Sequence, residues 1–120
     1  MEKQFRFEGL EVWRRAAGVS HELFRLANSL EQKRLYRFAE QLRAATLSIT
    51  NNIAEGSGSG SKADFANFLN MARRSVFEVA NILTLLAKEG LLSQTEITPI
   101  LSELEEQSRM LLAFIRTLKR

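Results

Sequence analysis

The sequence predicts an all-α fold: an antiparallel up-down-up-down four-helix bundle, formed as a single domain over residues 1–120. Three observations predict it. The chain holds one proline and six glycines in 120 residues, which leaves long stretches of helix-forming residues uninterrupted. Apolar residues recur at alternating three- and four-residue steps, the spacing of one face of a helix rather than of a strand. Glycines and capping sequences separate these stretches by short connections, which favour antiparallel neighbours.

The first helix is predicted over residues 9–28, with a core stripe of Val12, Ala16, Val19, Leu23, Leu26 and Leu30. The second is predicted over 33–55, closed by Gly56 as a left-handed C-cap. Two apolar rows run along it at seven-residue spacing: Leu35, Leu42, Ile49, and Phe38, Ala45, Asn52. The second row ends on an amide, and Gln41, Ser48 and Glu55 form a polar row beside it. A buried amide costs stability unless it is hydrogen-bonded, so these groups need partners on another helix or another subunit. Two roles for Asn52 follow: fixing the register of the bundle, or contacting a ligand or RNA.

Ser57-Gly58-Ser59-Gly60 reads as a flexible connection. Ser61 with Asp64 then has the spacing of a capping box and starts the third helix, predicted over 61–89. Its stripe is Phe65, Leu69, Ala72, Val76, Val79, Leu83 and Leu86, ending near Gly90. Ser93 and Glu96 form a second capping box, for a helix over 93–119 with the stripe Ile97, Leu101, Leu104, Ser108, Leu111, Ile115 and Leu118. Pro99 leaves two starts open: a distorted one near Ser93, or a regular one at Thr98.

Composition narrows the class. Apolar residues make up 45%, ordinary for a globular domain and too many for general disorder. The absence of cysteine excludes a disulfide framework and a thiolate metal site, and fits a reducing compartment. No apolar run approaches the ~20 residues that cross a bilayer, and the N-terminal MEKQFRFEG lacks the apolar stretch of a signal peptide. A cytoplasmic protein without a membrane partner is expected.

No catalytic constellation emerges, so no enzyme activity and no cofactor are expected. His21 is the single histidine, which excludes a multi-histidine metal site, and its helical neighbours Ala17, Gly18, Phe24 and Arg25 include no carboxylate to orient it. Residues 55–62, EGSGSGSK, lead into a helix but lack the G-x-x-x-x-G-K-[ST] spacing of a phosphate loop. Glu103, Glu105 and Glu106 have no Glu-x-x-His companion for a di-metal bundle and read as a solvated face.

The net charge of +3 is unevenly placed: residues 1–74 carry 12 Lys/Arg against 8 Asp/Glu, residues 75–120 carry 5 against 6. Arg14, Arg15, Lys33, Arg34, Arg37, Arg43, Lys62, Arg73 and Arg74 are the candidate phosphate contacts. Little aromatic interleaving accompanies them, so binding of low sequence specificity is expected.

Two helices carry more apolar surface than one bundle consumes. Trp13, Ala17, Phe24 and Ala27 flank the first stripe, and Phe68, Met71, Phe77, Ile82 and Leu85 flank the third. Burying each large side chain is worth ~1.5–3 kcal/mol, so a cluster of them left in water favours self-association. Trp13, Phe24, Phe68, Met71, Phe77, Ile82 and Leu85 are therefore the candidate oligomer interface. The alternative is a wide apolar arc covered within the chain by Phe5 and Phe7.

The motif S-I-x-x-N-I-A-E-G at residues 48–56, preceded by Q-L-R-A-A at 41–45, resembles the signature of four-helix-bundle proteins encoded in intervening sequences of bacterial 23S rRNA genes. F-x-x-L-x-V-W-x-x-A, matched by Phe7, Leu10, Val12, Trp13 and Ala16, extends the resemblance upstream. Ser61, Phe65, Phe68, Leu69, Ala72 and Arg73 extend it downstream. Two features depart from that pattern: Ser57-Gly58-Ser59-Gly60 replaces a Gly-Arg sequence, and no proline separates the first two helices. The resemblance implies a ring-forming homo-oligomer, with a pentamer as the closure, and makes Gln41, Ser48, Asn52, Glu55 and Gly56 the family's motif positions. The function expected is a non-enzymatic oligomeric module binding structured RNA or a nucleoprotein complex. The competing expectation is a protein-interaction scaffold or accessory subunit of a nucleic-acid enzyme.

Overall fold

Apolar stripes at helical spacing must bury one face each, and the chain solves this with four helices packed in a ring of neighbours. A computed structural model describes residues 5–120. A short 3-10 turn, Arg6–Gly9, precedes α1 (Glu11–Gln32), α2 (Tyr36–Ser57), α3 (Lys62–Lys88) and α4 (Gln94–Leu118). Consecutive helices pack against one another, α4 closes the ring against α1, and the α1–α4 seam is the loosest of the four. The described residues contain no strand. The four-helix, all-α architecture read from the sequence is the one observed.

All six predicted stripe residues of α1 and all seven of α3 are buried. The boundaries differ by a few residues. The first helix runs on to Gln32, because Leu30 belongs to the core and the turn is made afterwards. That turn is a Schellman closure: Leu35 donates to the Leu30 carbonyl and Arg34 to that of Glu31, with Arg34 at φ 64°. The third helix ends in the same way, with Gly90 at φ 74° and Leu91 donating to Leu86. Glycine accepts that conformation freely, whereas an arginine there costs ~1–2 kcal/mol.

The α2 core is rotated by one residue from the row ending on Asn52. Ala39, Thr46 and Ile53 are buried with Leu42, Ala45 and Ile49, whereas Phe38 is exposed and Leu35 and Asn52 are half-buried. This rotation hides Ile53 and leaves the Asn52 amide in partial contact with water, avoiding the desolvation cost of a core position. The polar-core assignment is corrected for the other motif residues as well: Ser48 is half-buried, and Gln41 and Glu55 are exposed.

Gly56 is not a left-handed cap. The helix continues through it to Ser57, and Gly58, in right-handed conformation, ends it. A Cβ on Gly56 would stand 2.6 Å from Phe68 Cβ and 2.9 Å from Phe65 Cδ1. The glycine is there because α3 comes too close for a side chain.

Both capping serines act as read from the sequence. Ser61 Oγ accepts from the Asp64 amide at 3.1 Å and Ser93 Oγ from the Glu96 amide at 3.4 Å. Helix α4 therefore starts at Gln94 with Pro99 inside it, one of the two starts the sequence left open. The Thr98 hydroxyl donates to the Gln94 carbonyl at 2.7 Å, and Thr95, whose carbonyl loses the amide that proline lacks, is exposed to water. The α4 stripe also shifts: Ile100 and Gln107 are buried, while Leu101 and Leu118 are only half-buried.

Candidate nucleic-acid interface

The motif residues of α2 form a polar seam against α3. Asn52 Nδ2 donates to the Ser48 carbonyl at 2.8 Å and to Ser48 Oγ at 3.0 Å. Ser75 Oγ donates to the Met71 carbonyl at 3.2 Å, so the 2.8 Å contact between the Ser48 and Ser75 hydroxyls is donated by Ser48. About two turns towards the start of α2, Gln41 Nε2 donates to Glu78 Oε2 at 2.9 Å. The neighbouring helix thus supplies partners for Ser48 and Gln41, whereas the Asn52 amide is satisfied within α2. The seam floors an open groove of about 330 Å³ lined by Ser48, Asn52, Met71, Arg74, Ser75 and Glu78.

An amide in this half-exposed seam makes ordinary neutral hydrogen bonds, each worth ~0.5–1.5 kcal/mol net. Asn52→Leu is accordingly expected to lower stability by up to about 1 kcal/mol in urea unfolding. A leucine variant more stable than the parent would show the site behaving as a core position after all.

The nine candidate cations do not form one patch. Arg15 is tied to Glu103, donating through Nε and an Nη, both at 3.0 Å, and reaches Met110 Sδ at 3.4 Å. The Glu103 hydrogen bond, then that carboxylate's charge, holds the Arg15 guanidinium above its ordinary pKa. Glu103 is thus an ion-pair partner joining α4 to α1, not a solvated face residue. Arg43 bridges Glu31 at 2.7 Å and Asn28 Oδ1 at 2.7 Å. Arg73 donates to the Ser108 carbonyl at 3.2 Å and lies 5.1 Å from the centre of the Phe77 ring. Arg14 donates to the Gly9 carbonyl at 3.1 Å. Lys62 opens α3 at the opposite end of the bundle from Lys33.

Lys33, Arg34 and Arg37 make no salt bridge within the described residues, and they stand together at the α1–α2 turn. Two aromatic side chains are interleaved with them: Tyr36 is 57% exposed and Phe38 is 43% exposed. The segment 33–38, KRLYRF, is therefore a basic tip with aromatic faces in water, and the expectation of little aromatic interleaving is corrected here. The run was visible in the sequence. Seven-residue spacing places Phe38 on the core row, and that spacing masks it.

The candidate oligomer-interface residues are also dispersed. Phe24, Met71, Phe77 and Leu85 are exposed, but Trp13, Phe68 and Ile82 are half-buried. Phe7 covers Trp13, ring centres 5.0 Å apart, and Phe5 stacks on Phe7 at 5.8 Å. Ala27 lies wholly in the core. The exposed four stand on α1 and on two flanks of α3: Met71 in the α2–α3 groove, Phe77 in that between α3 and α4.

Among the residues that join helices, sequence reasoning missed the buried Gln107. Gln107, fully buried, donates from Nε2 to the Val12 carbonyl at 2.9 Å, and its Oε1 has no partner among the described residues. Its position in the Leu104–Leu111 interval of the α4 stripe was the available signal.

The family model of the 23S rRNA-intervening sequence protein matches residues 8–113, a span that includes the motif at residues 48–56. The chain belongs to this family. No curated protein matches it. In this 23S rRNA-intervening sequence protein the matched span takes in all of α1, α2 and α3 and most of α4. No described helix is long and apolar enough to cross a membrane.

Proposed function

We propose that this family member is a non-enzymatic, self-associating cytoplasmic bundle that binds structured RNA, alone or in a nucleoprotein complex, through the tip at residues 33–38. Arg34 carries the reading. An arginine occupies a φ of 64° at the C-terminus of α1, where the equivalent position after α3 has Gly90. Backbone strain of this kind is tolerated where the side chain is used. Arg34 stands beside Lys33 and Arg37 for phosphates, with Tyr36 and Phe38 for unpaired bases, the composition of a single-strand or loop-binding surface. Self-association would multiply the tip: five copies of a +3 chain carry +15, and avidity follows without new contacts.

Arg34→Gly is expected to separate binding from stability. The variant should unfold at higher urea concentration, by roughly 1 kcal/mol, because glycine relieves the left-handed strain. It should bind structured RNA more weakly and with a log–log salt slope shallower by about one unit per tip. Tyr36→Ala should weaken binding with the slope unchanged, since stacking releases no counterion. Arg116→Glu with Lys119→Glu, at the far end of α4, serves as the control. Equal losses from tip and control would reduce the interaction to net charge. Absence of RNA binding at low salt would favour the accessory-subunit reading instead.

A further inference from the structure

We infer that the groove between α1 and α4 is the seat for a second copy of this chain, entered by Phe77 of the neighbour. Gly18 draws attention to the groove. A glycine in the interior of an exposed helix costs ~0.5–1 kcal/mol relative to alanine, and it needs a reason. Gly56 has one, in the closeness of α3. Gly18 has none in the chain: a Cβ built there meets nothing within 4 Å. It lies instead on the wall of the loosest seam of the bundle, in a groove of about 410 Å³ whose surface is mostly apolar, with exposed Pro99 on its wall and the buried Val19 and Ile100 at its base. A missing side chain beside an open apolar groove fits the close approach of something outside the chain.

The rest of the molecule offers a complementary projection. Phe77 is 58% exposed, the most exposed large apolar side chain of the four helices. Arg73 lies over its ring and Arg74 stands beside it. The groove presents the opposite charge: Glu22, Glu96 and Glu103 line it with Arg15. Arg15 is already bound to Glu103 and Arg25 to Glu22, which leaves Glu96 without an ion pair among the described residues. Arg74 likewise has none there. An aromatic residue flanked by arginines therefore matches an apolar slot flanked by glutamates.

Projection and slot belong to different faces, so the contact is head-to-tail. Each copy offers its Phe77 to one neighbour and its groove to another, a heterologous contact that builds a ring or a filament rather than a two-fold dimer. This interface rests on the self-association proposed above, and names its surfaces.

Gly18→Leu and Phe77→Ala test it by light scattering of the full chain at micromolar concentration. Both variants should keep the parental helical circular dichroism, because a Cβ at residue 18 has open space around it, so that leucine extends into the groove, and Phe77 lies outside the core. Each should be monomeric alone. Mixed, they should give a heterodimer and nothing larger, since Gly18→Leu keeps the projection and Phe77→Ala keeps the slot. Arg74→Glu and Glu96→Arg should each loosen the assembly, and together in one chain restore it. A Gly18→Leu chain that assembles like the parent would overturn this interface alone. A monomeric parent would overturn the self-association and this interface with it.

Discussion

Gly56→Ala is expected to destabilise the bundle by about 1–2 kcal/mol, whereas the same substitution at Gly18 stabilises it by ~0.5–1 kcal/mol. Both glycines lie inside helices, so alanine gains the same helix propensity at each. What differs is the space. The new methyl at residue 56 would stand 2.6 Å from Phe68 Cβ, an atom fixed to the α3 backbone rather than the end of a flexible side chain. The two helices must therefore separate where Phe65 and Phe68 pack, and overpacking of that kind costs ~1–3 kcal/mol before the propensity gain is subtracted. Urea unfolding, at one low protomer concentration so that assembly does not enter, checks both signs. A neutral Gly56→Ala would mean that α3 slides to admit the methyl, and that the glycine of the family motif is not kept for close packing.

Gln107→Ala is expected to cost ~2–3 kcal/mol, and Gln107→Leu to cost far less or to stabilise. Alanine loses the hydrogen bond to the Val12 carbonyl and leaves a hole at a fully buried site. Leucine also loses that bond, but fills the volume and removes the unpartnered Oε1. The pair of variants separates packing from hydrogen bonding, because the two substitutions share one loss and differ in the other. The α1–α4 seam makes the result informative. It is the loosest in the bundle, held by Gln107, by the Arg15–Glu103 pair and by a short stretch of core. Equal destabilisation by alanine and leucine would assign the role of Gln107 to its hydrogen bond rather than to its bulk.

The sequence by itself determined the all-α class, the number of helices, the stripes of α1 and α3, both serine caps and the family. These are local or periodic properties. Ser61 finds the amide three residues on whatever surrounds it, and apolar residues at helical spacing specify a buried face before any partner is known. Only the tertiary structure decided which row of α2 is core, because the Ala45–Asn52 row and the Thr46–Ile53 row, about 100° apart on the helix, have the same seven-residue spacing, and periodicity does not choose between them. Packing in the bundle buried Ala39, Thr46 and Ile53, and the closeness of α3 explains Gly56, which the sequence alone reads as a cap. The fate of the cations was equally non-local. Arg15 and Lys33 are the same kind of residue in the sequence, but Arg15 meets Glu103, 88 positions away, and Lys33 meets no carboxylate among the described residues. Charge pairing across helices is a property of the packed bundle, and Lys33, Arg34 and Arg37 are among the cations it leaves without an ion pair in the described residues.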